Sequence, residues 1–416
     1  MGSEMCIRDR VSTNTSTNGE IIPAISKKDI TGTSIELGKG HFIKANNAKH
    51  TYLLKIYYPK KTTSQNANQG AAFNAHVEIT SAKAPTVSTL AQTILAKNEV
   101  KAPITTPGAA VSTASEALLA STEDDYGTSY YFRGAVTNNY VEFANKCWRI
   151  VRVGGDGSVK LILHNDNPTG AANPCDAANN SASAAFARYS GETYKSAFNT
   201  NYNDNAYVGF KYGTVGAGDY ALTHANTNNS TILTNLETWY TNNLKTYADA
   251  IADTVWCNDK TNVTDTTFNP YGYSNVNGSG YAKNVTYYGA TQRLVSTSGS
   301  AGGTGPSLKC NGELSKINSK VGLITADELA YAGYAYSQNN TTTYLQENAT
   351  DTWWWSLSPN YFSGSIANVW SVRGSSGGFG NDGVDNADGV RPSISLISLT
   401  TISGGFGTSE EPYIIE

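Results

Sequence analysis

Charged side chains are scarce in this chain: they make up 15% of its 416 residues, against about 25% in typical soluble domains. Asparagine, threonine, serine, glycine and tyrosine take their place, which is typical of extracellular proteins with many strands and turns. The formal net charge is -4. Because nucleic-acid binding needs a basic surface, this balance argues against nucleic acid as a partner.

Long apolar runs are absent as well. No segment approaches the roughly 20 apolar residues of a membrane-spanning helix, so we expect no membrane span in the chain. The start, MGSEMCIRDRVSTNTSTNGE, also lacks the apolar centre of a signal peptide. MCIRDR resembles translated adaptor sequence, so we expect residues 1–26 to be disordered or artefactual and the true N-terminus to be missing.

Catalytic motifs are missing too. The chain has no HExxH, GxSxG or Walker sequence, and its histidines are scattered: His41, His50, His76, His164 and His224. These absences predict a protein that is not an enzyme. The alternative is a hydrolase built from three aspartates close in sequence, Asp382, Asp385 and Asp388.

Cysteine is sparse but informative. Apart from Cys6 in the adaptor-like start, the chain has four cysteines with no metal-binding spacing, which favours disulfides and an extracellular location. Local loop closure favours the pairs Cys147 with Cys175 and Cys257 with Cys310. The alternative is four buried free thiols, which would argue against an extracellular location.

Two segments precede the main folded region. Residues 27–83 contain strand-like runs, such as TYLLKIYYP at 51–59 and the alternating AFNAHVEITSA at 72–82, and predict part of an all-β sandwich. Residues 84–125 are rich in Pro, Ala, Ser and Thr, which predicts a linker with one short helical piece, STLAQTILAKN.

Residues 126–416 predict a second domain. Four strands follow one another between Tyr130 and His164, with GGDG at 154–157 as a hairpin turn. A helical period spans 230–251, and TADE at 325–328 is a capping box, in which Thr325 and Glu328 exchange hydrogen bonds. Strands, two helices and long loops in this order predict an α+β fold.

Motifs in both domains resemble known families. TYLLKIYYPKKTTSQNANQGAAFNAHVEITSAK is similar to the end of camelysin and TasA-like β-sandwich proteins. LITADELAYAG, WWWSLSP and DGVRPSISL together resemble uncharacterised bacterial surface proteins, which are in turn similar to the formylglycine-generating-enzyme-like branch of the C-type-lectin fold. The resemblance implies a C-type-lectin-like domain. The cysteines that such an enzyme needs near its end are absent here.

The segment from Trp353 to Leu396 is the most distinctive in the chain. It predicts an aromatic strand, an Asn, Asp, Gly and Ser-rich loop at 358–389, and a closing strand. Aromatic and amide side chains on a loop suit recognition, which predicts ligand contacts from Tyr361, Trp370, Arg373, Phe379 and Asn381. At least two of the three consecutive tryptophans, Trp354 among them, are expected in the core. Arg391 is expected to anchor structure by donating to carbonyls or a carboxylate.

The same loop raises the question of calcium. Asp382, Asp385 and Asp388, with neighbouring asparagines, offer the oxygen ligands that Ca²⁺ takes. No EF-hand spacing and no lectin calcium motif is present, so turn formation is the favoured interpretation and no cofactor is predicted.

These observations predict an extracellular, non-catalytic binding or adhesion protein of the cell surface, whose 358–389 loop contacts a glycan or a protein. Two alternatives stay open. One is a structural subunit of a surface fibre or biofilm matrix, which self-associates through the sandwich edge at 51–82. The other is the extracellular hydrolase.

Overall fold

The computed structural model describes residues 5–11, 28–30, 52–57 and 88–415. The chain divides into two compact units, residues 1–82 and 83–416. Among the described residues, no helix has both the length and the apolar character needed to cross a membrane.

The described part of the first unit is a three-stranded antiparallel sheet. Its strands are β1 (Met5–Val11), β2 (Lys28–Ile30) and β3 (Tyr52–Tyr57), in the order β2-β1-β3. Of residues 1–26, predicted to be disordered or artefactual, Met5–Val11 form β1, which pairs on both sides at the centre of this sheet, and the others lie outside the described residues. The predicted strand at 72–82 and most of the sandwich edge lie outside the described residues.

In the second unit, the described residues 88–415 form five α-helices and seventeen strands. The helices are α1 (Leu90–Lys97), α2 (Tyr220–His224), α3 (Thr231–Asn243), α4 (Gly289–Leu294) and α5 (Ala326–Ala332). The strands are β4 (Ala117–Asp124), β5 (Gly127–Gly134), β6 (Tyr140–Phe143), β7 (Lys146–Val153), β8 (Val159–Asn165), β9 (Lys195–Ser196), β10 (Lys211–Tyr212), β11 (Asn228–Asn229), β12 (Thr254–Cys257), β13 (Thr286–Tyr287), β14 (Lys316–Ser319), β15 (Trp354–Phe362), β16 (Ala367–Val372), β17 (Phe379–Gly383), β18 (Asp388–Gly389), β19 (Ser393–Leu396) and β20 (Tyr413–Ile414). The fold is therefore mixed α+β, mostly strands in antiparallel sheets, as the sequence predicts, although with more helices than two.

Two large sheets organise this unit. The first has the order β19-β8-β7-β5-β4, and β6 adds to β7 and carries β20 as a parallel neighbour. The second has the order β17-β16-β15-β18-β9, with β13 also paired to β15. One apolar core runs through both sheets and buries most of the tryptophans completely: Trp148, Trp239, Trp256, Trp354, Trp355 and Trp370.

Several predicted elements are present. β7 and β8 form the hairpin expected around GGDG, closed by a bond from Gly154 N to Ser158 O at 2.8 Å. The predicted helix at 230–251 is shorter, because α3 ends at Asn243 and a 3₁₀ turn follows. α5 begins with the expected capping box at Thr325 and Glu328 and ends at Gly333.

The predicted linker at 84–125 differs from the structure. Its described residues include α1, whose Leu90 and Ile94 are fully buried, and β4, which pairs with β5 from Ala117 to Asp124. Pro and small residues suggest flexibility, but Leu118 and Leu119 in ALLASTED are both buried, one on each face of β4.

Both predicted disulfides are confirmed. Cys147 pairs with Cys175 at a Cα separation of 5.0 Å, and Cys257 pairs with Cys310 at 5.5 Å. Both separations lie in the usual range for disulfides. The alternative of four free thiols is therefore wrong for this structure.

Candidate functional site

Strand register brings four of the predicted ligand-contacting residues to one face of the second sheet. Tyr361 lies opposite Asn368, and Trp370 lies opposite Asn381. Phe379 lies opposite Val372, two residues beyond Trp370. Since side chains two residues apart share a face, Tyr361, Trp370, Phe379 and Asn381 project on the same side.

A layer of tyrosine rings covers this side. Tyr271 packs 5.1 Å from Tyr361 and 5.9 Å from Tyr336, measured between ring centroids, and Tyr273 packs 5.1 Å from Tyr361. All four rings are half-buried. We call the surface formed by Tyr271, Tyr273, Tyr336, Tyr361 and Asn381 the tyrosine face. Each ring therefore keeps part of its surface in solvent.

Hydrogen bonds hold these rings in place. The Tyr273 hydroxyl donates to the Tyr361 hydroxyl at 2.9 Å, and the Tyr271 hydroxyl donates to Asn360 Oδ1 at 3.1 Å. Burial raises the pKa of Tyr361 far above the usual value and does the same for Tyr271. Phenols are neutral at physiological pH in any case, so these side chains act as hydrogen-bonding groups rather than as bases.

Two N–H donors beneath the tyrosine face have no acceptor among the described residues. They are Nε1 of Trp370 and Nδ2 of Asn360, and both side chains are fully buried. An unpaired buried donor costs about 1–3 kcal/mol. Such donors are uncommon in folded proteins, although this unit has others, such as Nε1 of the core residue Trp354.

The structure corrects the predicted roles of the other aromatic residues in this segment. Trp370 is 0% exposed and Phe379 is 1% exposed, so they form the floor under Tyr336 rather than a contact surface; the Trp370 ring lies 5.6 Å from that of Tyr336. Arg373 is exposed but separate from this floor, with its guanidinium 4.5 Å from the Trp353 ring centroid. The predicted loop at 358–389 is largely strand, because β15 to β18 pair within it.

The three aspartates do not form a metal site. Among the described residues, no group of three His, Cys, Asp or Glu side chains lies close enough to hold a metal ion. Asp382 Oδ1 accepts from Gly383 N and Asn386 Nδ2, which is turn formation, while Asp385 is exposed. Asp388 is buried, its Oδ2 has no partner within the described chain, and burial, with nearby Asp382, raises its pKa to about 7.

The residues predicted to be structural lie in the core. Trp354 is fully buried, and the guanidinium of Arg391 lies 4.7 Å from its ring centroid. Arg391 Nη2 donates to Leu163 O at 3.1 Å, and its Nη1 donates to Leu345 O. Thr325 Oγ1 accepts from Glu328 N at 3.1 Å.

Glu328 also belongs to a buried network that the sequence does not reveal. Lys160 Nζ donates to both oxygens of Glu328, at 2.7 and 2.9 Å, and Arg152 Nε donates to Oε1 at 3.0 Å. Arg152 bridges onward to Asp124. Burial alone would raise the pKa of Glu328, but Lys160 and Arg152 outweigh it and hold the pKa at about 2.

A second set of ion pairs faces this one across a small cavity of about 50 Å³. Arg293 donates to Asp327 at 2.7 and 2.8 Å and to Asp259 at 2.7 Å. We call the two sets together the ionic cluster; its members are Asp124, Arg152, Lys160, Asp259, Arg293, Asp327 and Glu328. Every one of these charges has an opposite partner, so the arrangement is complete without a ligand.

Sequence reasoning missed three of the four tyrosines of the tyrosine face. Tyr271 and Tyr273 lie in an irregular stretch, YGY, and Tyr336 follows α5. The signal available was local: YGY is an aromatic pair around a glycine, inside a segment with few other apolar residues. Only the fold brings that pair to β15.

The chain matches no protein-family model, and no curated protein or solved structure is significantly similar to it.

Proposed function

We propose that this chain is an extracellular, non-catalytic recognition protein that binds a neutral glycan through the tyrosine face. One observation carries the proposal. Four half-buried tyrosine rings and an amide share one surface, with two unpaired buried N–H donors beneath them. Tyrosine is amphipathic and loses little conformational freedom on binding, so such a surface is suited to recognition.

The chemistry of the tyrosine face favours a neutral polar ligand. The apolar C–H faces of a sugar ring pack on aromatic rings, and its hydroxyls exchange hydrogen bonds with phenols and amides. Tyr271 and Tyr361 are uncharged at neutral pH, as tyrosine side chains ordinarily are. The set contains no charged side chain, so an ionic ligand would lose hydration without gaining a counter-charge.

Two features support an extracellular location. The second unit carries two disulfides, which persist in oxidising compartments and are rare in the reducing cytosol. The bond between Cys257 and Cys310 also holds β12 next to the segment at 307–310.

We further propose that the second unit is C-type-lectin-like. Its motifs occur in the expected order: the capping box that begins α5, then the tryptophan-rich strand β15, then the GVRP sequence ahead of β19. The mixed, mainly antiparallel architecture is compatible with that fold. Fold resemblance by itself says little about the ligand, so the tyrosine face remains the basis of the functional proposal.

A glycan array tests the proposal directly. The full chain is applied to a broad panel of neutral and charged glycans, and hits are quantified by calorimetry, with calcium and with chelator. We expect binding to neutral glycans that is insensitive to chelator. The double variant Tyr273→Ala/Asn381→Ala should weaken it at least about 10-fold, equivalent to roughly 1.4 kcal/mol.

A matched control separates the surface from general effects. Tyr126, which is 60% exposed, lies outside the tyrosine face, so Tyr126→Ala should leave glycan binding unchanged. Binding that survives Tyr273→Ala/Asn381→Ala, or binding to extracellular proteins in place of glycans, would contradict the proposal. Filaments that form with rising concentration, and no glycan binding, would favour the fibre subunit instead.

A further inference from the structure

A second surface of the molecule, remote in sequence from the tyrosine face, forms a groove with a volume of about 310 Å³. It lies where β20 pairs with β6 and where the turn at 405–412 folds back on itself. Phe406 N and Gly407 N both donate to Glu411 O, at 2.8 and 2.9 Å. The groove is therefore built from a closed turn resting on the edge of the first sheet.

The groove has an apolar floor that the rest of the unit leaves uncovered. Phe406 is 61% exposed and Ile414 is 40% exposed, and Pro412 also lines the groove. Apolar side chains that line a concave surface and stay in solvent mark sites of interaction more often than isolated exposed residues do.

The rim of the groove is acidic. Glu142, Glu410 and Glu411 line it, and Asp176 is close enough to act on Glu410. Within the described chain none of the three glutamates forms an ion pair. Burial raises the pKa of Glu142, with no cation opposing the effect. The rim thus differs from the ionic cluster, where each carboxylate has a partner.

The floor already accepts one ammonium group. Lys97 Nζ lies 4.7 Å from the Phe406 ring centroid and 5.1 Å from that of Tyr413. Such cation–π contacts contribute about 0.5–1 kcal/mol at exposed sites. One lysine does not balance the carboxylates of the rim, so the surface keeps an excess of negative charge.

We propose that this groove docks a basic peptide segment of a partner protein. A lysine or arginine side chain of the partner would lay its methylene stem on Phe406 and Ile414 and place its charged head among Glu142, Glu410 and Glu411. Long basic side chains combine an apolar stem with a cationic end, which matches an apolar floor with an acidic rim. An acidic segment would be repelled.

The turn is held in its shape before any partner arrives. Asn173 Nδ2 donates to Ser409 O and Glu410 O, both at 3.2 Å, and Asn173 Oδ1 accepts from Cys175 N at 2.9 Å. Cys175 is disulfide-bonded to Cys147 on β7. A rim fixed in this way loses little conformational entropy on binding.

Fluorescence anisotropy with labelled octalysine tests the proposal on the full chain, with octaglutamate as the probe of opposite charge. We expect octalysine to bind, and we expect its affinity to fall as salt is added. Glu410→Gln/Glu411→Gln should weaken binding at least about 10-fold and Phe406→Ala about fivefold, the first corresponding to roughly 1.4 kcal/mol. Octaglutamate should not bind.

Two controls keep the test decisive. Glu192→Gln/Glu313→Gln removes the same charge from two side chains that are 98% and 88% exposed and lie outside the groove, and it should change binding less than twofold. Circular dichroism and thermal melting confirm that each variant is folded. Equal weakening by the control pair, unchanged binding by Phe406→Ala, or no octalysine binding at all would overturn the proposal. Since glycans play no part, the result is independent of the tyrosine face.

Discussion

The ionic cluster and the tyrosine face are both polar regions inside one folded unit, but they differ in how completely their polar groups are paired. In the ionic cluster each charge meets an opposite charge within 3.0 Å. In the tyrosine face, phenols bond to one another while Trp370 Nε1 and Asn360 Nδ2 have no acceptor in the described chain. Polar groups that satisfy one another in the core maintain a fold, whereas the half-buried phenols above these two donors keep part of their surface in solvent.

The largest effect on stability is expected when one partner is removed from the ionic cluster. Glu328→Gln leaves Lys160 buried without a counter-charge, which should cost about 3–5 kcal/mol of the free energy of unfolding. Urea denaturation at neutral pH measures the loss. The double variant Glu328→Gln/Lys160→Met removes both charges and should recover part of it; no recovery would show that the pair is not the cause.

Lowering the pH should also destabilise the wild-type protein, because it protonates Glu328. The pKa of Glu328 is lowered to about 2 in the folded state, against about 4.3 in an unfolded chain. Its contribution to stability is therefore full above about pH 4.3 and is lost as the pH falls towards 2. Denaturation midpoints along a pH series should fall across this window, and Glu328→Gln should flatten that part of the curve.

Asp388 should make stability depend on pH in the opposite direction, because it is a buried carboxyl with an unpaired oxygen. Its folded pKa is raised to about 7, so its effect on stability is most favourable below about pH 3.9 and is lost as the pH rises towards 7. Asp388→Asn should therefore stabilise the protein at pH 8 by an amount on the order of 2 kcal/mol. Thermal melts at low and high pH measure this; a variant less stable at both would refute the assignment.

Removing the capping box of α5 should have a smaller effect on the free energy of unfolding. Thr325→Ala removes the acceptor for Glu328 N and should cost about 1 kcal/mol. Thr325→Ser keeps the hydroxyl and should cost much less. Chemical denaturation of the two variants side by side distinguishes loss of the cap from loss of the methyl group.

The smallest expected effect on stability belongs to the tyrosine face. Tyr273→Phe removes the half-buried bond to Tyr361 and should lower the free energy of unfolding by about 0.5 kcal/mol, the low end for a hydrogen bond. Glycan binding should nevertheless weaken measurably by calorimetry. A large loss of stability without any change in binding would make this region structural, and the contrast with the ionic cluster would disappear.

The sequence predicts local features of this fold well. GGDG marks the hairpin between β7 and β8, TADE marks the start of α5, and the four cysteines pair within local loops as expected. Each signal depends on residues close in the chain, where turn chemistry and capping act.

The features that the sequence does not predict depend on residues distant in the chain or on whether other elements bury both faces of a strand. Lys160 and Glu328 are 168 residues apart, so no local pattern joins them. Trp370 lies in ANVWSV, where both faces of β16 are buried, and the surrounding Asn, Gly and Ser composition suggests a loop instead. The tyrosine face combines both difficulties: register in the sheet unites Tyr361 with Asn381, and a separate segment supplies Tyr271.

The pairing of β8 with β19 has a consequence for how this protein is made. Ser393 and Leu161 are hydrogen-bonded neighbours in the first sheet although 232 residues separate them. Synthesis proceeds at about 5–20 residues per second. Some tens of seconds therefore pass between the synthesis of β8 and the synthesis of β19. The nascent chain therefore spends that interval with its main sheet incomplete, so that β8 has one edge unpaired until β19 is made.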